Sequence, residues 1–99
     1  MASKPLRFDP RAEQEYLTAI TWYQKRSFAA ATNFESAIQA AIAKIQKTPK
    51  RWPIYFNEFR KYLLRQFPFG IIYLELPSEI RIYAIAHGRR LPGYWRDRL

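Results

Sequence analysis

Apolar positions along the chain change their period at Pro49, and the change divides the sequence into a helical half and a strand-forming half. Before it, Ala12, Tyr16, Ile20 and Tyr23 recur at helical spacing, with Leu17 widening the stripe. Asp9 is placed to cap this helix and Pro10 to fill its first turn, where a missing N–H costs nothing. The pattern weakens from Gln24 to Ser27. A second helix is predicted from about Phe28 to Thr48, with Phe34, Ile38, Ala41 and Ile45 on one face. Lys44 and Lys47 suit its C-terminal dipole, and Pro49 disfavours helical geometry at Thr48. Alanines at 29, 30, 31, 37, 40, 41 and 43 allow the two helices to approach closely as an antiparallel hairpin. Ahead of them, Leu6-Arg7-Phe8 reads as a short extended segment.

After Pro49, aromatic and β-branched residues mixed with arginine replace the helical period. Three strands are predicted, at about Phe59 to Phe67, Phe69 to Leu76 and Ile80 to His87, separated by Pro68 and by the turn Pro77-Ser78-Glu79. So short a connection joins the last two as an antiparallel hairpin. Strict alternation along the last strand puts Ile80, Ile82, Ala84 and Ala86 on a helix-packing face and Arg81, Tyr83, Ile85 and His87 on a mixed one. From Gly88 to Leu99 the chain reads as an irregular basic tail with a possible final turn from Tyr94. The expected architecture is α+β: a short N-terminal strand, a helical hairpin, an antiparallel sheet of three further strands and the tail, in a single domain over residues 1–99.

Composition narrows what such a domain can do. At 48% hydrophobic and 17% aromatic residues, the chain has enough apolar material for a folded core. No apolar run reaches the roughly 20 residues of a membrane span, and Met1-Ala2-Ser3-Lys4-Pro5 leads into no signal core, so a soluble cytoplasmic protein is expected. With no cysteine, thiol catalysis and thiolate zinc sites are excluded, and a single histidine cannot build a multi-histidine metal centre. No metal or cofactor is expected. The formal net charge of +9 predicts an acidic partner, nucleic acid or protein, rather than a membrane. Residues 50–99 carry ten basic and four acidic side chains (+6), against seven and four (+3) in residues 1–49, so the excess leans toward the sheet and tail.

The order of elements resembles the RelE/ParE toxin superfamily of type II toxin–antitoxin systems. The resemblance is carried by Arg60 in the first strand after the helices, by the Phe67-Pro68-Phe69 corner leading into Ile71-Ile72-Tyr73, and by Ile82 to Arg90 running on to Pro92, Tyr94 and Trp95. The family's corner usually reads Phe-Pro-Tyr. The resemblance implies a growth-inhibiting toxin neutralised by a cognate antitoxin. The alanine-rich hairpin and the Phe-Pro-Phe corner look more like the ParE (plasmid stabilisation) branch, whose members poison DNA gyrase, than the RelE branch, whose members cleave mRNA in the ribosome. A basic nucleic-acid-binding module without toxicity is a third reading, for which composition argues and the ordered motifs do not.

RNA cleavage without metal needs a group to activate the 2′-hydroxyl, an acid for the leaving oxygen, and cations for the developing charge. His87 offers a base or acid, Tyr94 an acid, and Arg60, Arg65, Arg89 and Arg90 phosphate clamps. The competing account makes His87 a strand-end histidine bonded to backbone, Arg89 and Arg90 a solvated run, and Arg60 an ion-pair partner of Glu58, Glu75 or Glu79. Under the ParE reading no residue is catalytic, and Arg60, Arg65, Arg81, His87, Arg89, Arg90, Tyr94 and Trp95 form the target- or partner-binding set. Burial is expected for Phe34, Phe69 and Tyr73, and partial exposure for Trp52 and Trp95, which lie in irregular segments beside prolines and charges.

Overall fold

Two capped helices and five strands make up the computed structural model, which describes residues 4–99. Strand β1 (Leu6–Phe8) leads into α1 (Pro10–Gln24), started by the Asp9 carboxylate, which accepts from the Arg11 N–H at 2.9 Å. Ser27 caps α2 (Phe28–Lys47) by accepting from the Ala30 N–H at 3.2 Å. Pro49 follows immediately on the α2 C-cap Thr48, as predicted. The sheet then runs through β2 (Ile54–Phe56), β3 (Phe59–Leu63), β4 (Phe69–Glu75) and β5 (Ile80–His87), and the chain closes in a short 3-10 turn at Arg96–Arg98. No helix among the described residues is long and apolar enough to cross a membrane.

The strand order is β1-β5-β4-β3-β2. Strands β2 to β5 are an antiparallel meander, but β1 pairs in parallel with β5, Leu6 opposite Ile80 and Phe8 opposite Ile82, so the sheet is mixed rather than wholly antiparallel. The parallel pair is possible because both helices and strands β2 to β4 lie between its members in the chain, where a tight turn would impose an antiparallel pairing. One strand more is present than the pattern predicted: β2 has only three residues, too few for alternation to reveal. It turns into β3 through Asn57, whose φ of 49° lies in the left-handed region that asparagine tolerates. Strand β3 stops at Leu63 instead of Phe67 because Leu63 pairs with Gly70, and the chain needs residues 64–68 to reverse direction.

The helices cover one face of the sheet. Phe34, Ile38 and Ile45 of α2 and Ala12 and Ala19 of α1 meet Ile71, Tyr73, Ile80, Ile82 and Ile85 in the main core. A second, smaller cluster lies on the opposite face, built from Phe59, Ile72, Ala84, Ala86 and Trp95. The division shows that the alternation predicted for β5 does not run unbroken. The register shifts between Ile72, which faces Ala84, and Tyr73, which faces Ile82, leaving Tyr83 as the extra residue of a β-bulge. After the bulge every side chain changes face: Ile85 joins the helix side, and Ala84 and Ala86 point away from it.

The expected separate tail is not present. Residues beyond Gly88 fold back onto the body, and Trp95, expected to be partly exposed, is 1% exposed because Phe56 and Phe59 offer it an apolar seat. Phe34 and Tyr73 are buried and Trp52 half-buried, as expected, while Phe69, expected to be buried, is half-buried at the edge of the main core.

Candidate functional site

Between α1 and the stretch of β5 that runs past β1 lies a groove of about 520 Å³. One wall is α1, with Gln14, Thr18, Trp22 and Tyr23; the other is Phe69, Ile85 and His87 from the strands; Arg89, Arg90 and Tyr94 close the end. Aromatic and aliphatic surface lines it and cations rim it, in a size range that suits a ligand or an inserted segment of a partner. Trp22 is exposed on its lip, with the Arg26 guanidinium stacked 3.5 Å from the ring centre.

Four of the eight residues singled out from the sequence meet here: His87, Arg89, Arg90 and Tyr94. The bulge accounts for the position of His87. It reverses the face on which strict alternation placed this residue, so His87 lies beside Phe69, with ring centroids 5.1 Å apart, and not with Tyr83 and Arg81. The His87 Nδ1 accepts the Arg89 N–H at 3.0 Å, which assigns the imidazole proton to Nε2. This is the backbone-bonded strand-end histidine of the competing account. Arg90 is exposed, its guanidinium 3.8 Å from the ring centre of Tyr94.

The other four lie elsewhere. Arg60 donates to the Trp52 carbonyl at 2.7 Å and sits beside Tyr73, forming no ion pair with Glu58, Glu75 or Glu79 among the described residues. Tyr73 is four residues along β4 from Phe69, which places Arg60 more than about 13 Å from His87. Arg65 is exposed in the β3–β4 connection. Arg81 is half-buried, 4.0 Å from the Asp9 carboxylate and over the Tyr83 ring. Trp95 is a core residue.

The residue that sequence reasoning missed is Glu15. Read along α1 it is one more surface carboxylate, yet it is largely buried and accepts from the Ile85 N–H at 3.0 Å, from the Tyr94 hydroxyl at 2.6 Å, and from both terminal nitrogens of Arg98 at 2.8 and 3.0 Å. Arg98 also donates to the Tyr83 carbonyl at 3.0 Å. Past Phe8 the outer edge of β5 has no strand beside it, and Glu15 and Arg98 satisfy the backbone groups that edge leaves open. Burial and the bond to Glu15 hold the Tyr94 phenol far above its usual range, so it stays protonated. The bidentate bond to Glu15 raises Arg98 as well. No signal within the sequence pairs Glu15 with residues 70 to 83 positions away.

This scaffold, a helical hairpin on one face of a meander whose outermost pairing is parallel, is that of the small toxins of toxin–antitoxin systems. The family model described as "ParE toxin of type II toxin-antitoxin system, parDE" matches residues 6–92, and the chain belongs to that family. Its fold is similar to a structure of the chromosomal ParDE toxin–antitoxin system from P. aeruginosa, at a TM-score of 0.74 and 17% identity, covering 86% of this chain and 96% of that one. It is also similar to a mutant of the E. coli toxin RelE in the free state, at a TM-score of 0.61 and 13% identity, covering 89% and 86%. No curated protein matches the chain in sequence.

Proposed function

We propose that this ParE-family toxin arrests growth in the cytoplasm by binding and poisoning DNA gyrase, and that a cognate antitoxin neutralises it by laying an acidic and apolar segment over the groove. The observation that carries the choice of binding over catalysis is how the candidate acid–base groups are engaged. The Tyr94 hydroxyl is committed to Glu15, the His87 Nδ1 to the Arg89 N–H, and Arg60 lies at the far end of the sheet, whereas Arg89 and Arg90 stay exposed beside apolar walls. Exposed guanidinium groups next to aromatic surface suit a protein interface with acidic partners.

The RelE-like reading, a ribosome-dependent endoribonuclease, is favoured by one observation: His87 shares the groove with two arginines. Purified toxin separates the two. Inhibition of gyrase supercoiling with ribosome-bound messages left intact is the expected result; specific cleavage of those messages without gyrase inhibition would replace the first reading by the second.

A further inference from the structure

We infer that Glu15 is a positioning residue for the groove: it clamps Tyr94, whose ring is the platform on which the Arg90 guanidinium is held. This rests on the proposed role of the groove as the toxin's contact surface. Three contacts form a chain. Glu15 takes the Tyr94 hydroxyl at 2.6 Å, the Tyr94 ring lies 3.8 Å from the Arg90 guanidinium carbon, and the Arg90 Nη1 is itself 4.0 Å from the Glu15 carboxylate. Arg98, its side chain 8% exposed, closes the clamp from the other side with two bonds to the same carboxylate.

Arg90 is a long, exposed side chain, and without a support it would sample many rotamers; ordering it before contact lowers the entropy lost on binding. Ring stacking holds the planar guanidinium while leaving its outward N–H groups free for an acidic partner. A carboxylate is needed as the anchor because it alone can accept from the phenol, from Arg98 and from the Ile85 amide together, with no donor of its own to conflict. Residues 93–99 lie beyond the span that the family model matches, so the clamp joins a family residue, Glu15, to a segment outside that match.

The test reads the Arg90 side chain by NMR in the full chain. Protons on the Arg90 δ carbon, two bonds from the guanidinium carbon that stacks on the Tyr94 ring, are expected to be shifted upfield by the ring current in the native protein. In Glu15→Gln, which keeps the size but cannot accept from every donor, that shift should fall by more than half while the methyl resonances of Ile38 and Ile45 stay in place. An unchanged Arg90 shift in a folded Glu15→Gln protein, or no shift in the native one, overturns the inference. Should Glu15→Gln not fold, Tyr94→Phe retains the ring and loses only its anchor; it should reduce the shift too, and an undiminished shift there also overturns the clamp. Toxicity is scored separately: if the shift collapses and toxicity is kept, the clamp stands and the groove's role in toxicity falls.

Discussion

Trp95 lies with its ring centre 4.8 Å from that of Phe59, on the sheet face turned away from both helices. Phe56 meets the same indole edge-on at 5.9 Å, and the Arg96 guanidinium covers Phe56 from outside. The C-terminal segment therefore supplies the second core with its largest side chain, and the sheet does not have an open apolar face there.

Trp95→Ala should consequently cost stability before it costs anything else. Truncating a fully buried tryptophan typically costs about 3 to 5 kcal/mol, which in a domain of this size lowers Tm by well over about 10 °C. Thermal unfolding followed by circular dichroism checks this. A variant melting within a few degrees of the native protein would show that the tail does not contribute to the core.

Stability should also fall at alkaline pH through buried phenols. Burial pushes Tyr73 up to about 12, opposed in part by nearby Arg60, and raises Tyr23 and Tyr94 in the same direction. A phenol whose pKa is higher folded than unfolded contributes stability that is fully present below about 10, its unfolded value, and is lost as pH rises through about 12. For Tyr73 this contribution is on the order of 2 to 3 kcal/mol. Urea midpoints should be level near pH 8 and fall between pH 10 and 12. Tyr73→Phe gives up the 2.6 Å bond to the Pro49 carbonyl, so it starts lower at neutral pH, but its midpoint should decline less steeply. Equal slopes for the two proteins would reject Tyr73 as a source of the dependence.

The helices and the last hairpin were legible in the sequence because their signals are local. Asp9, Pro10 and Pro49 mark helix ends, and Pro77-Ser78-Glu79 admits only a tight reversal. The site was legible in half: His87, Arg89, Arg90 and Tyr94 are close in the chain and stay close in space. What was hidden depends on relations between distant segments. The bulge at Tyr83 arises from pairing with β4, and it alone decides which face His87 occupies. Glu15 acquires its partners only because β5 extends past β1 and the tail folds back over it. Arg60 carried a family resemblance, but register along β4 takes it to the opposite end of the sheet from the groove.

His87→Ala discriminates between mechanisms. The change removes the acceptor for the Arg89 N–H and the edge contact with Phe69, a loss of about 1 kcal/mol for a partly exposed neutral hydrogen bond. A toxin that acts by binding should keep most of its gyrase inhibition and still arrest growth. A nuclease using this imidazole as acid or base would lose roughly a hundredfold or more in rate. Dose-dependent growth arrest from a titratable promoter measures the difference.

Replacing Arg89 and Arg90 together by alanine should abolish toxicity with the fold nearly intact. Both side chains are exposed, and neither is part of either core cluster. The Arg89 N–H to His87 and the Arg90 N–H to the His87 carbonyl are backbone donors that alanine retains. Arg90 gives up only its stacking on Tyr94 and a 4.0 Å approach to Glu15, which Arg98 continues to neutralise. Exposed substitutions of this kind shift stability by about 0.5 kcal/mol. Target affinity is another matter: charge-assisted hydrogen bonds contribute about 1.5 to 3 kcal/mol each, so losing two should weaken binding by about a hundredfold or more. The double variant should melt within a few degrees of the native protein, no longer inhibit supercoiling, and permit growth when expressed without antitoxin. A stable, soluble double variant that still arrests growth at the native dose would remove the groove's arginines from the mechanism and move attention to the exposed apolar surface of α1, at Leu17 and Trp22.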